Sequence, residues 1–147
     1  MAGYHVVTTC AFDAPIERVW AALEALERYP SWQRDAVAAG PGPTVRLKGR
    51  APLRLSVELT VASAEAPRTL VMRAAGDLAG VGAWTLAERG AGTSASWTWD
   101  VRAVGGWARV LGPLARPLVG RGLERLTRRV AADLAGLLGT RAPIGLA

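Results

Sequence analysis

The alternation of apolar and polar residues between positions 44 and 103 is the strongest constraint on how this chain folds. Apolar side chains recur there at every second position, which is the period of a β-strand with one buried face. Glycine, proline and aspartate separate the segments, so we expect tight turns and an antiparallel sheet with one solvated face. The predicted strands are Thr44–Arg50, Arg54–Ala62, Thr69–Ala74, Gly80–Glu88 and Thr93–Ala103.

Another strand and a helix precede this region. Tyr4–Phe12 is rich in β-branched and aromatic residues, as strands are, and Asp13 and Pro15 are typical of a helix start. Pro30 is expected to end this helix, and residues 30–35 to form a second short helix or turn. The apolar stripe of the first helix consists of Ile16, Val19, Trp20, Leu23 and Leu26.

Helical periodicity returns after Gly105 and continues to Gly139, with a kink or start expected between residues 113 and 120. A helix of 22 to 26 residues would extend about 33–39 Å, so it is the only predicted element long enough to cover the apolar face of the sheet. We therefore expect a curved sheet wrapped around this helix. The facing side chains are partly small, which favours a pocket over a solid core: Gly49, Ala74, Gly82, Ala95 and Gly122.

Length and composition favour one cytoplasmic domain over residues 1–147. A chain of 147 residues can build one core, and no apolar run approaches the ~20 residues that span a bilayer. Residues 1–11 do not resemble a signal peptide, and Cys10, the single cysteine, cannot form an internal disulfide. A monomer or homodimer in a reducing compartment is the resulting expectation.

Positive charge is concentrated in the C-terminal segment. The net charge is +6, and five of these charges fall after residue 103. We interpret the arginines as the solvated side of the last helix, or alternatively as a docking surface for an acidic partner such as an acyl carrier protein or for anionic lipid headgroups. Nucleic-acid binding is disfavoured, because it needs a clustered basic surface and usually aromatic or base-reading partners beside it, and because the abundance of arginine and alanine suggests a GC-rich coding sequence as readily as phosphate contacts. The arginines are Arg109, Arg116, Arg121, Arg125, Arg128 and Arg129.

Three tryptophans are predicted to converge on the inner face of two successive strands. Trp84, Trp97 and Trp99 would form either a packed aromatic core or a wall for a flat apolar ligand. Trp32 is placed at the cavity entrance or as a simple hydrophobic anchor, Trp107 at the mouth or as an anchor of the last helix. The candidate ligand-binding residues are Trp32, Met72, Trp84, Trp97, Trp99, Leu118, Gly122 and Leu126.

Catalytic candidates are few. His5, the only histidine, is predicted to face outward, and Cys10 faces inward without a neighbouring base. Asp35 and Asp77 are interpreted as turn or solvated residues, and Asp100 as an outward residue. No metal site, phosphate loop or nucleophile–histidine pair is recognisable, so no metal or cofactor is expected and the catalytic residues stay unassigned.

The order of these segments resembles the START-like (SRPBCC) superfamily, in its polyketide cyclase/dehydrase and lipid-transport branch. Phe12–Trp20 followed by Tyr29–Trp32 is similar to the opening of that family, and Gly80–Leu86 with Gly92–Thr93 to its later pattern. The resemblance implies an α+β helix-grip fold: an antiparallel sheet of about six or seven strands around a long C-terminal helix, with two short helices after the first strand. It also implies a deep hydrophobic cavity between sheet and helix.

The functional hypothesis is the binding of a hydrophobic small molecule, polyketide-like or lipid-like, in that cavity. A cyclase or aromatase fits because folding a reactive chain needs a shaped apolar cavity and few polar groups. A non-catalytic carrier or sensor of lipids or isoprenoids fits the same cavity. A surface protein that binds RNA or membrane through the basic helix is a third possibility.

Overall fold

A computed structural model describes residues 3–38, 44–50 and 54–139. Within these residues, seven strands form one curled antiparallel sheet in the order β1-β7-β6-β5-β4-β3-β2. The predicted break at residues 40–43 and turn at 51–52 lie outside the described residues. The strands are β1 Gly3–Phe12, β2 Ala36–Ala38, β3 Thr44–Lys48, β4 Ser56–Glu65, β5 Thr69–Gly76, β6 Leu78–Arg89 and β7 Gly92–Ala103.

The predicted alternation sets the inner face of this sheet. On β7 the odd-numbered residues from Ala95 to Val101 are buried, whereas Asp100 is exposed. Trp84 on β6 lies opposite Trp97 on β7 in the register. Because side chains alternate strictly along a strand, the period of two was enough to choose the buried face. The sequence did not predict the short edge strand β2.

The first helix ends earlier than predicted. α1 comprises Ile16–Glu24, and a 3-10 helix, Leu26–Ser31, follows and contains Pro30. The prediction that Pro30 ends α1 is therefore wrong, because the backbone leaves helical geometry already at Ala25, with φ −87° and ψ 71°. The hydroxyl of Tyr29 donates a 2.6 Å hydrogen bond to the Leu23 carbonyl near this break. That bond satisfies a carbonyl that would otherwise lack an intrahelical partner.

The chain after β7 forms α2, Trp107–Leu111, a short 3-10 turn, Gly112–Leu114, and α3, Ala115–Leu138. The start predicted between residues 113 and 120 is confirmed, since α3 begins at Ala115. α3 has 24 residues, about 36 Å, and lies in the concave face of the sheet. Gly139 ends it in the left-handed conformation at φ 70°. The helix-grip fold is thus confirmed.

α1 is tied to the far end of α3. The Arg18 guanidinium donates a 2.9 Å hydrogen bond to the Leu138 carbonyl, one of the last carbonyls of the helix. In the described part of the chain, no helix is long and apolar enough to cross a membrane.

Candidate functional site

The three inner-face tryptophans pack on one another. The ring centroids of Trp84 and Trp97 are 5.0 Å apart with a tilt of 55°, and those of Trp97 and Trp99 are 5.0 Å apart at 81°. These are the tilted and edge-to-face geometries that aromatic pairs prefer. All three indoles are buried, with Trp97 between the other two. The predicted convergence is therefore present.

The indole N–H groups of Trp97 and Trp99 differ in their hydrogen bonding. Trp99 Nε1 donates a 2.9 Å hydrogen bond to the hydroxyl of Thr127 on α3, and that hydroxyl donates to the Leu123 carbonyl at 2.8 Å. Trp97 Nε1 is buried without a hydrogen-bond partner among the described residues, as is the hydroxyl of Thr8. A buried, unpaired N–H is costly, so Trp97 retains an unused donor on the inner face.

The space beside the tryptophans is nearly filled. It measures about 10 Å³ and is bordered by Met72, by the three indoles and, on α3, by Leu126. A volume of this size holds at most about one water molecule. The aromatic cluster is thus a packed core in this structure, and the pocket expected there is closed.

An open cleft of about 340 Å³ lies beside that core, between α3 and the β3–β4 region. The α3 side consists of Leu118, Gly122 and Leu126, three of the predicted ligand-binding residues, together with Leu123. Leu55 and Val57 line the sheet side. Pockets that bind small molecules typically have roughly 300–1,000 Å³, so this cleft is large enough for a ligand.

Gly122 keeps the cleft open. A Cβ atom built on Gly122 would have no atom within 4 Å. A larger side chain at this position would therefore extend into free space. Leu126 lines both the cleft and the small inner space, so it separates the cleft from the indoles.

Arginines border the cleft. Arg50 extends from the end of β3, and Arg121, Arg125 and Arg129 extend from α3. Two of them bind one carboxylate: Arg129 Nε lies 2.6 Å from Asp35 Oδ2, and Arg50 Nε lies 3.0 Å from Asp35 Oδ1. The Asp35 side chain is only 3% exposed, so a buried ion pair holds the loop before β2 against α3.

Gln33 connects this ion pair to a second one. The Gln33 side-chain amide lies 3.3 Å from Asp35 Oδ2 and 3.3 Å from Asp133 Oδ2, and Gln33 Oε1 accepts a bond from the Asp35 backbone N–H. Asp133 accepts hydrogen bonds from the Arg34 side chain and backbone. This network of hydrogen bonds holds the segment before β2 against the C-terminal half of α3.

These contacts lower the pKa of both carboxyl groups. Burial alone would raise the pKa of Asp35, but hydrogen bonds from Arg129, Arg50 and Gln33 outweigh it and hold the pKa below the ordinary value. Asp133 behaves likewise: burial opposes the charge, and the bonds from Arg34 lower the pKa. Both groups are therefore structural anions near neutral pH.

The remaining titratable candidates do not converge. His5 is exposed, as predicted, and so is Asp100. Asp77 accepts a 2.7 Å hydrogen bond from the backbone N–H of Ser56. Burial raises the pKa of the Cys10 thiol to about 12, which leaves it a poor nucleophile at neutral pH. No group of His, Cys, Asp or Glu suited to a metal ion occurs in the described ranges.

Trp32 lies apart from the other candidate site residues. Its ring packs on Tyr29 with centroids 4.8 Å apart, and the lining of neither the cleft nor the inner space includes it. The position corresponds to the anchoring alternative. Burial raises the pKa of the Tyr29 hydroxyl, although a hydrogen bond with Trp84 opposes this effect. Trp107, at the start of α2, is partly buried.

Sequence reasoning missed the polar part of the site. Asp35 had been interpreted as a solvated or turn residue. It is instead buried and binds Arg50, 15 positions later in the chain, and Arg129, 94 positions later. Thr127 had no assigned role, although its helical spacing from Leu123 and Leu126 places it on the buried face. That spacing was the sequence signal that could have predicted a buried Thr127 hydroxyl.

The fold and the cleft can be compared with known proteins. The family described as "Polyketide cyclase / dehydrase and lipid transport" matches residues 4–135. The chain belongs to this family. As a member of the polyketide cyclase/dehydrase and lipid transport family, it has a fold that binds hydrophobic ligands. No curated protein matches the sequence.

Solved structures share the fold of this family member at low sequence identity. A START superfamily protein from Mycobacterium smegmatis has a TM-score of 0.72 at 17% identity, over 92% of this chain and 97% of its own. The Zhui aromatase/cyclase from a Streptomyces species has a TM-score of 0.69 at 20% identity, over 94% of each chain. The di-domain aromatase/cyclase StfQ of steffimycin biosynthesis has a TM-score of 0.73 at 11% identity, over 93% of this chain and 51% of its own.

Proposed function

We propose that this protein binds an apolar small molecule in the cleft between α3 and the β3–β4 region. The observation that carries the proposal is the contrast between two neighbouring volumes, about 340 Å³ in the cleft and about 10 Å³ beside the indoles. Of these two volumes, only the cleft has room for a ligand, and its floor is apolar. Of the predicted ligand-binding residues, Leu118, Gly122 and Leu126 would contact the ligand directly.

The apolar floor supplies the binding free energy. A ligand that buries about 300 Å² of apolar surface there gains about 7 kcal/mol at ~25 cal/mol per Å², before the cost of association. Because the cost of association reduces this gain, micromolar is the tightest dissociation constant that the apolar contact alone would give. A longer ligand that displaced Leu126 would reach the indoles, where the free N–H of Trp97 offers a hydrogen bond to a ligand oxygen.

We infer that binding without catalysis, as in a carrier or sensor, fits the described residues best. General acid–base chemistry needs a titratable group within hydrogen-bond reach of the substrate. Asp35, the carboxylate bound to two cleft arginines, is held by Arg50 and Arg129, and His5 is exposed on the outer face of the sheet.

Cyclase-like activity is the second candidate. Membership of the polyketide cyclase/dehydrase and lipid transport family supports it, as does an aromatic inner face with an unpaired Trp97 N–H. In that case the cavity would act by shaping a reactive chain rather than by a strong acid or base. Both candidates share the same first requirement, a bound apolar molecule.

Native mass spectrometry of freshly purified protein tests the proposal. We expect an apolar molecule to be retained at one copy per chain and to compete with the neutral dye Nile red. The absence of both a retained molecule and saturable Nile red binding would contradict the proposal. Incubation of a reactive polyketide chain with the ligand-free protein then separates the two candidates, because a cyclase converts the chain faster than buffer alone does and a carrier does not.

A further inference from the structure

The cleft side of α3 carries two parallel rows of residues. Leu118, Gly122 and Leu126 are spaced by four, and so are Arg121, Arg125 and Arg129. Positions four apart lie on one side of an α-helix, and the two rows are adjacent because their members differ by three. All six residues line the cleft. The apolar row thus forms the floor and the arginine row forms a rim.

The positive charge of this rim is only partly neutralised. Arg129 and Arg50 bind Asp35, whereas Arg121 and Arg125 form no ion pair with any described residue. Lys48 and Arg54 line a hollow that shares Gly49, Arg50 and Leu55 with the cleft, so the sheet side is basic as well. Among the described residues, Asp35 is the only acidic side chain bound to the arginines that line the cleft, and Arg50 and Arg129 already share it.

A cationic rim that is only partly neutralised, beside an apolar floor, favours one class of ligand. Guanidinium groups match carboxylate and phosphate oxygens in bidentate geometry, and charge-assisted hydrogen bonds are stronger than neutral ones. A neutral apolar ligand would leave Arg121 and Arg125 without any such interaction. A ligand with an apolar body and one anionic end uses both the floor and the rim.

We propose that the cleft takes an amphiphilic anion, an apolar chain or ring system with a carboxylate or phosphate end, whose charge is bound by Arg121 and Arg125. This rests on the proposed function, which it makes more specific. Arg50 and Arg129 have the role of holding the rim in place through Asp35. The same two free arginines would also raise the association rate of an anion by electrostatic attraction.

The test compares ligands that share one chain and differ in their ends: decanoate, decyl phosphate and neutral decanol. Competition with Nile red gives the three affinities. We expect at least one anion to bind roughly tenfold more tightly than decanol, since two exposed charge contacts yield a modest gain. Increasing NaCl should weaken anion binding and leave decanol binding unchanged. Whichever anion binds more tightly identifies the end group.

Matched double variants assign the effect to residues. Arg121→Gln with Arg125→Gln should reduce the affinity for the preferred anion to that of decanol, without changing decanol binding. Glutamine keeps a long, helix-compatible side chain, so folding is expected to be retained. Arg28→Gln with Arg73→Gln removes two exposed charges that do not line the cleft and should preserve the preference for the anion.

Three results would overturn the inference. If decanol binds as tightly as both anions, the anionic end is wrong while the proposed function stands. If the arginine pair affects only adsorption to phosphatidylglycerol vesicles and leaves anion affinity unchanged, these arginines serve a membrane surface instead. If neither Nile red nor any of the three ligands binds, the proposed function fails together with the inference.

Discussion

The indole N–H of Trp99 on β7 donates a 2.9 Å hydrogen bond to the Thr127 hydroxyl in the middle of α3. Both side chains are buried, at 1% and 3% exposure. The bond therefore joins the concave face of the sheet to α3. Because the site is buried, water cannot replace a lost partner. It also fixes the rotation of α3, on which the positions of the apolar row and the arginine row depend.

Replacing Thr127 by valine should destabilise the protein by about 1–3 kcal/mol, because the Trp99 N–H would remain buried without an acceptor. Urea unfolding followed by circular dichroism measures the change. Thr127→Ser keeps the hydroxyl and loses only a methyl group, so it should cost less than the valine variant. Equal stability of wild type and Thr127→Val would show that this bond contributes nothing.

Asp35→Asn should destabilise the protein by about 3 kcal/mol at neutral pH, since it removes the carboxylate shared by Arg129 and Arg50. The pKa of Asp35 is lower in the folded than in the unfolded state. Its contribution is therefore complete above the unfolded value of about 3.9 and is lost as the pH falls through the folded value.

The free energy of unfolding of the wild type should accordingly be nearly constant from pH 7 to about pH 5 and decrease below about pH 4. Asp35→Asn should reduce this acid-dependent loss, and the part that remains belongs partly to Asp133, whose pKa is also lowered. The exposed Asp100→Asn variant serves as the control and should follow the wild-type profile. An unchanged acid-dependent loss in Asp35→Asn would contradict the assignment.

Gly82→Ala should cost about 1–3 kcal/mol through overpacking. A Cβ atom at Gly82 would lie 2.6 Å from Trp97 Cζ2 and 2.8 Å from Cη2. The Trp97 ring cannot move aside easily because it packs between Trp84 and Trp99. Thermal unfolding monitored by tryptophan fluorescence measures the effect.

A double-mutant cycle tests the cause of that cost. In a Trp97→Leu background the clash is absent, so Gly82→Ala should be nearly neutral or slightly stabilising there. The same penalty in both backgrounds would mean that the backbone of β6, rather than the indole, rejects the side chain.

The sequence predicted the parts of the structure that depend on local periodicity. The inner face of β7 follows from the alternation of apolar and polar residues with a period of two. The same alternation on β6 and β7 places Trp84, Trp97 and Trp99 on one face of the sheet. The length and end of α3 followed from helical spacing and Gly139. These features need no knowledge of contacts between distant segments.

Other features depend on contacts between distant segments, which the local pattern does not encode. Asp35 meets Arg129 across 94 positions, so its burial could not be inferred from the loop around it. The break of α1 at Ala25 involves Tyr29, which replaces a helical hydrogen bond at Leu23. The size of the inner space depends on how closely three indoles interlock, a matter of side-chain packing. The closed core and the open cleft beside it therefore required the structure.

The central claim, that the cleft is the ligand site, is tested most directly by the affinity for Nile red in Gly122→Leu and Gly136→Leu. Both glycines lie in α3 with no atom within 4 Å of an added Cβ, but only Gly122 lines the cleft. Leucine has a higher helix propensity than glycine, so neither substitution is expected to weaken α3, and a loss of dye binding would not reflect a loss of folding. We predict that Gly122→Leu weakens dye binding at least roughly tenfold, the loss of about 1.4 kcal/mol, whereas Gly136→Leu binds like the wild type. Equal dye affinity in the two variants would contradict the account.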